Sequence, residues 1–318
     1  MGDHSDKESL VLDSNAGDTS NESVDSDGSI TTDPSQVGSE SEDEGGVAAG
    51  VWLPILGEDN NTVPERNDPR YKTNKIQLLI DHFNHVFLYH YQPFQDISID
   101  ESLVGYKGKT PHLRQYMPNK HHARFGIKLW CLCDASNGYL IKFEVYKGAI
   151  DANERGPEGF THNLCMRLLR TSNLLNRGYH VGLDNHFSSP ALFLELFHQH
   201  QTTSTVRRNR KGLPAAVKKP SNLTNQQVCE RRKGPLLAVA FKDGSKTPIL
   251  HSTFTAAGYG TKINKRNQEI RKLKCVIKYN SSMGGVDLSD ARLCAYLAER
   301  RTLKWKLKWY FLYLAGLC

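Results

Sequence analysis

The feature that most constrains this chain is an unbroken succession of strand and helix patterns between residues 96 and 206. "DISIDESLVGYKG" alternates Ile97 and Ile99 and continues to Leu103. "FGIKLWCLCD" and "YLIKFEVYKG" read as two strands joined by Ala135-Ser136-Asn137-Gly138, a strong hairpin turn. "FTHNLCMRLLRTSNLLN" reads as a helix with Leu164, Leu168 and Leu175 among its core candidates. A strand over Tyr179–Asp184 follows. "SSPALFLELFHQH" is a second helix, with Ser188 or Ser189 as its cap and Pro190 in its first turn. "TTSTV", residues 202–206, is a fifth strand.

The order is β-β-β-α-β-α-β. Three meandering strands followed by crossovers through helices give an α/β fold, a mixed five-stranded sheet with helices on its faces. That is the order of an RNase H-like core. Ahead of it, "NKIQLLIDHFNHVFLYHY" repeats Ile76, Leu79, Ile80, Phe83, Val86 and Phe87 at helical steps. Asn74 can cap that helix, and Pro93 follows its end. Residues 207–283 read as an insertion with little core and much charge, containing a hairpin through Asp243-Gly244 in "PLLAVAFKDGSKTPILHSTF". After Gly285 the pattern is helical, with Leu288, Leu293, Tyr296 and Leu297 as core candidates and Asp287 and Asp290 on one face.

Charge divides the chain. Residues 1–50 hold thirteen of the 34 acidic residues but only Lys7 among the 41 Lys and Arg, a net −12. The rest carries 40 basic residues against 21 acidic ones, a net +19. The acidic stretch has no aromatic residue and cannot bury enough apolar surface to offset its ordering entropy, so it reads as a disordered tail. Its "SESEDE" run (Ser39–Glu44) reads either as a solvating segment or as a site for an acid-directed kinase. The basic body points to a polyanion, nucleic acid above all. Seven cysteines, odd in number and without C-x-x-C spacing, suggest buried thiols in a reducing compartment. No run is long enough to cross a bilayer, and Trp309–Cys318 reads as a core helix that stops abruptly.

Three aspartates then stand out. Asp100 lies inside the first strand, Asp184 ends the fourth, and Asp287 opens the late helix. The first and fourth strands of such a sheet are neighbours, so Asp100 and Asp184 can face each other, and a helix packed on the sheet can bring in Asp287. Carboxylates suit Mg²⁺ or Mn²⁺, and a pair of such ions stabilises the attacking and leaving oxygens of a phosphoryl displacement. Without cations, three converging carboxylates repel one another. Each residue also has a plainer reading: Asp184 as a turn residue, Asp287 as a helix N-terminal carboxylate. Asp100 is harder to set aside, because an acid between apolar strand residues needs a partner.

At these residues the sequence resembles a known family. "ISIDESLVGYKGKTPHLRQYMPNKHHARFGIKLW", "GLDNHFSSPAL", "TVRRNRKGLP" and "YNSSMGGVDLSD" are similar, in order, to the piggyBac transposases and the cellular proteins derived from them. The resemblance implies an RNase H-like catalytic domain split by an insertion domain, and cut-and-paste DNA transposition at TTAA through two Mg²⁺ or Mn²⁺ ions held by Asp100, Asp184 and Asp287. Asp290 matches a further acid of the same motif. The implied organisation is an acidic tail (1–50), a linker and remnant of a DNA-binding and dimerisation region (51–92), a catalytic core (93–206), a basic insertion domain (207–283) and the last catalytic helices (284–318).

Lys107, Lys109, Arg114, Lys120, Lys128, Arg207, Arg208, Arg210 and Lys211 are the candidates for phosphate contact, which gives affinity but little sequence reading. "RRNRK" also fits a nuclear-import pattern. The expected partner is double-stranded DNA, as transposon ends and target, in the nucleus and away from any membrane; a homodimer is an open alternative. Most of the family's longer N-terminal region, and its Cys/His-rich zinc-binding end, have no counterpart in the sequence, so impaired transposition is an expectation, with a domesticated, non-catalytic DNA-binding protein as the alternative function.

Overall fold

The structure is a computed structural model. It describes Glu65, Asp68 and, from Tyr71 to Tyr296, all residues except 107–112, 118–123, 149–155, 199–200, 221–222, 225–226, 243–245 and 264–265. The acidic tail, the run at Trp309–Cys318, Leu297, and Lys107, Lys109 and Lys120 lie outside the described residues.

In chain order the elements are α1 (Asn74–His90), β1 (Asp96–Gly105), β2 (Arg114–Tyr116), β3 (Phe125–Asp134), β4 (Leu140–Val145), α2 (Phe160–Thr171), β5 (His180–Leu183), α3 (Pro190–Phe197), β6 (Gln201–Thr205), α4 (Ala215–Lys218), β7 (Val228–Lys233), β8 (Leu236–Phe241), β9 (Ile249–Ser252), β10 (Tyr259–Ile263), β11 (Glu269–Leu273), α5 (Lys274–Ser282) and α6 (Gly285–Tyr296). No helix among the described residues is long and apolar enough to cross a membrane.

The five strands expected from the sequence are all present and adjacent in the order β4-β3-β1-β5-β6. β1 runs antiparallel to β3 and parallel to β5, which in turn runs parallel to β6. The five-stranded expectation falls short, however: among the described residues the sheet has nine strands. β2 adds to β3, and β9, β8 and β7 continue outward from β6. The anticipated hairpin is present, β8 pairing antiparallel with β9 around Asp243-Gly244, which lie outside the described residues, and it joins the main sheet: Thr203 to Thr205 of β6 pair with Ser252 to Leu250 of β9. Nor is the stretch after residue 206 poor in core. Val206, Leu213, Val217, Ala238, Ala240 and Ile249 form a buried cluster of their own.

The turn at Ala135–Gly138 closes β3 to β4 as its sequence implies. Gly138 adopts φ 68°, and the Asp134 carboxylate accepts from Ser136 N–H at 2.8 Å and Ser136 Oγ at 2.6 Å. Burial alone would raise the Asp134 acid; these donors, with Phe94 N–H and Tyr91 OH, outweigh it and hold the acid below its ordinary value. α3 starts as expected, with Ser189 Oγ accepting from Leu192 N–H at 3.2 Å. α1 starts one residue earlier than the Asn74 cap allows. Thr73 is its cap position, and its hydroxyl donates to Gln77 Oε1 at 2.6 Å instead of satisfying the backbone.

One face of β1, β3 and β5 carries the main core. Ile97, Ile99, Leu132, Val181 and Leu183 sink against Leu164 and Leu168 of α2 and Leu192, Phe193 and Leu196 of α3. Leu175, beyond the helix end, is only partly buried there. α1 covers the outer edge of β4. Asn84 Nδ2 donates to the Phe143 carbonyl at 3.0 Å, and Phe143 N–H donates to Asn84 Oδ1 at 2.9 Å. One amide side chain thus stands in for a missing neighbour strand and blunts the edge.

Candidate active site

The register of β1 against β5 decides where the acids lie. Asp96, Ile97, Ser98 and Ile99 stand level with His180, Val181, Gly182 and Leu183. The next step brings Asp100 level with Asp184. Ile97, Ile99, Val181 and Leu183 are fully buried in the core. Strand side chains alternate, so Ser98, Asp100, Ser102, Gly182 and Asp184 must occupy the opposite face.

α5 and α6 cover that face, and two glycines set how closely. A Cβ on Gly182 would lie 2.5 Å from the Ser282 carbonyl oxygen at the end of α5. A Cβ on Gly285 would lie 2.4 Å from Ser98 Oγ and 2.7 Å from the Asp134 carbonyl oxygen. Only hydrogens fit at both places, so the elbow between the helices presses directly on β1 and β5. This delivers Asp287 and Asp290 to the strands bearing Asp100 and Asp184. Ser102 Oγ donates to Asp290 Oδ1 at 2.5 Å. Asp287 is exposed, while Asp100, Asp184 and Asp290 are half-buried.

Asp184 holds the turn and faces the site at once. Its carbonyl accepts from Phe187 N–H and Ser188 N–H at 3.1 and 3.2 Å, which is the turn role its position suggests. Its carboxylate separately accepts from Thr205 Oγ1 at 3.3 Å. Thr205 is also 3.4 Å from Tyr279 OH of α5.

The Tyr279 phenol registers the acids around it. Burial pushes its pKa well up, the Thr205 hydrogen bond opposes this, and the charges of Asp184, Asp100 and Asp287 add to the rise. One buried hydroxyl thus lies within electrostatic reach of all three aspartates. The Cys133 thiol beneath α6 is likewise raised by burial first, against a Ser289 hydrogen bond, with Asp290, Asp100 and Asp134 adding to it. Among the described residues no three His, Cys, Asp or Glu side chains are close enough, as placed, to hold a metal ion. The donor chemistry nonetheless fits a hard divalent cation: aspartate oxygens, without thiolate or imidazole among them.

The basic candidates divide. Three gather just past Asp184. Arg207 Nε donates to Asn185 Oδ1 at 2.9 Å, and Arg210 donates to the carbonyls of Asn185 and His186. Lys128 Nζ lies 3.0 Å from Glu101 and 4.0 Å from the Trp130 ring centroid, and the His186 ring stacks on that tryptophan. Burial, first, lowers the His186 pKa; Glu101 opposes this, and Lys128, Arg207 and Arg210 add to the lowering. These cations therefore share one neighbourhood beside the acids. Arg208 instead donates to the Thr247 carbonyl at 2.9 Å, Arg114 sits over the Phe125 ring, and Lys211 is exposed.

Sequence reasoning missed α5 with Tyr279, Thr205, and a polar cluster lower on the same face. There Asp96 Oδ1 is 2.9 Å from His180 Nδ1 and also receives Lys278 Nζ, tying α5 to both strands. A signal for α5 existed: Cys275, Val276, Tyr279 and Ser282 are the buried positions of a helical repeat.

Comparison with known proteins gives the family and the fold. The family model described as Transposase IS4 matches residues 57–317. The human "PiggyBac transposable element-derived protein 3" is 28% identical over 253 residues, covering 75% of this chain and 41% of that protein. The human "Chimeric ERCC6-PGBD3 protein" is also 28% identical over 253 residues, with 23% of its length covered. The chain therefore spans less than half the length of these relatives. Among solved structures, a piggyBac transposase in a synaptic complex with hairpin DNA superposes with a TM-score of 0.65 at 25% identity, covering 79% of this chain and 52% of that one. A family match over well over half of the chain, with these relatives behind it, assigns the lineage: the chain belongs to the Transposase IS4 family, among the piggyBac transposases and the proteins derived from them.

Proposed function

We propose that this chain carries an RNase H-like DNA-cleaving core in which Asp100, Asp184 and Asp287, with Asp290 beside them, hold two divalent cations, Mg²⁺ or Mn²⁺. The observation that carries the reading is the register of β1 and β5, whose last pair, Ile99↔Leu183, leaves Asp100 and Asp184 as the next residue on each chain segment, with the helix elbow bearing Asp287 packed on the same face. The strand order β4-β3-β1-β5-β6 supports the RNase H-like assignment. On this reading residues 93–206 and, after the insertion at 207–283, the helix α6 form the catalytic core, and α1 is a remnant of an N-terminal region.

The cations supply Lewis-acid stabilisation of the attacking and leaving oxygens of a phosphodiester. The protein's own residues do the rest. Asp100 is fixed on β1 and Asp184 in the turn directly after β5, Thr205 orients the Asp184 carboxylate, and Ser102 orients Asp290. Lys128, Arg207 and Arg210 hold a phosphate backbone beside the acids without reading bases. The substrate is double-stranded DNA at transposon ends with TTAA targets, and the place of action is the nucleus. The solved neighbour's complex with hairpin DNA supports a DNA partner.

The test is Mn²⁺-dependent nicking of duplex DNA carrying transposon ends, with Asp100→Asn beside the wild type. Nicking by wild type alone is expected; equal nicking by both removes the metal-site reading. A second reading, DNA binding without cleavage, is favoured by the cationic cluster at Asn185–His186, which stands independently of the carboxylates. Under it both proteins bind the duplex equally and neither nicks.

A further inference from the structure

β10 and β11 form a two-stranded antiparallel sheet apart from the main one. Five register pairs hold it, from Tyr259↔Leu273 to Ile263↔Glu269, and Asn267 near the tip adopts φ 63°. Its base is braced: Lys274 N–H donates to the Gly258 carbonyl at 3.0 Å, and a Cβ on Gly260 would meet Ile277 of α5 at 3.2 Å. β11 runs without a break into α5, which carries Tyr279 and leads to Asp287. The ribbon is thus mechanically continuous with the candidate active site.

The core does not account for its side chains. Tyr259, Thr261, Lys262, Ile263, Glu269 and Arg271 are exposed, with Ile263 at 60%. Arg271 lies over the Tyr259 ring, 4.3 Å from its centroid, which extends the guanidinium along the outer face. Between Tyr259 and Lys274 the sequence places Lys262, Lys265, Arg266, Arg271, Lys272 and Lys274 against the single acid Glu269. A merely solvated ribbon would mix its signs. One this one-sided repels itself and gains most beside a polyanion.

We propose that the β10–β11 ribbon lies in the major groove of duplex DNA. The dimensions agree. Five-residue strands span about 17 Å, about five base-pair steps, and a two-stranded ribbon fits a groove about 12 Å wide. The flanking cations meet phosphates on both sides of the groove, and Ile263 offers an apolar contact to a thymine methyl. The inference rests on the DNA-acting reading above but adds a second, separate contact that positions the duplex relative to the aspartates.

The test is anisotropy of labelled duplex DNA with the full chain and its Lys262→Gln/Arg266→Gln variant, from about 50 to 200 mM salt. Loss of two phosphate contacts lowers the slope of log K against log salt by about 1.8 and weakens binding about tenfold or more near 0.1 M salt. Single-stranded DNA of the same sequence, having no groove, loses less. Melting midpoints should be unchanged, since both positions are exposed. A variant with wild-type slope and affinity overturns the ribbon while leaving the DNA-acting reading standing. A wild type without duplex affinity overturns both. If the variant loses affinity for polyglutamate but keeps it for duplex, the ribbon serves an acidic polypeptide and the proposal is overturned.

Discussion

The two faces of β1 and β5 are made by the same residues of backbone yet obey opposite rules. On one face Ile97, Ile99, Val181 and Leu183 are fully buried against α2 and α3. On the other, Ser98, Asp100, Gly182 and Asp184 leave room for a helix elbow and gather negative charge. The first face is closed by hydrophobic burial and tolerates no gap. The second is held apart by like charge and together by hydrogen bonds, glycine contacts and the Asp96–His180–Lys278 cluster. Stability should therefore reside on one face and chemistry on the other, within a pair of strands a few ångströms thick.

That separation can be broken in order of expected effect. Asp100→Asn or Asp184→Asn should lower Mn²⁺-dependent nicking by on the order of 10³-fold, about 4 kcal/mol of transition-state stabilisation. In metal-free buffer the same variants should be as stable as wild type or slightly more so, because a repelling charge is gone. Ile99→Ala should do the reverse, losing about 2–5 kcal/mol of unfolding free energy in urea titrations. If the aspartate variants unfold as easily as Ile99→Ala, the two faces are not functionally distinct.

Smaller effects sharpen the same contrast. Gly182→Ala drives a methyl against the Ser282 carbonyl oxygen and should cost about 1–3 kcal/mol. Its larger consequence should be on nicking, since it lifts the elbow that bears Asp287. An Ala variant that nicks normally argues that the elbow need not press on β5. The pH dependence is subtler. Burial first, with Lys278 adding to it against Asp96, lowers the His180 pKa to about 4, and burial alone lowers that of His251 to about 4. Both imidazoles stay neutral when folded but take up protons from an ordinary pKa of 6.5 when unfolded. Their contribution is thus present above pH 6.5 and is lost as pH falls from there toward 4. Unfolding free energy should decline across that window, and His251→Leu should flatten the decline.

How legible this was depended on how local each determinant is. The hairpin through Ser136–Asn137, the Ser189 cap and the alternation of Ile97 and Ile99 are written in adjacent residues, and all are present in the structure. β7 was hidden because "VCERRK" is an outer strand with its last four residues exposed, so its pattern reads as charge. The union of β9 with β6 joins Ser252 to Thr203, a pairing no local pattern announces. α5 is a short helix whose buried Cys275 and Val276 sit among lysines, and it blended into the basic insertion. The neighbourhood of Asp100 and Asp184 followed from strand order alone. The approach of Asp287 needed Gly182 and Gly285, whose meaning appears only once Ser282 and Ser98 are known to lie against them.

The central claim is that Asp100, Asp184 and Asp287 act as one cation site although they come from three distant parts of the chain. Mn²⁺ titration followed by electron paramagnetic resonance tests it most directly, on the wild type and on Asp100→Asn, Asp184→Asn and Asp287→Asn separately. The account predicts binding by wild type and a comparable loss, about tenfold or more in affinity, in each single variant, because the two ions draw on one set of carboxylates and each missing one weakens the site. Wild-type affinity retained in any one of the three variants would contradict it.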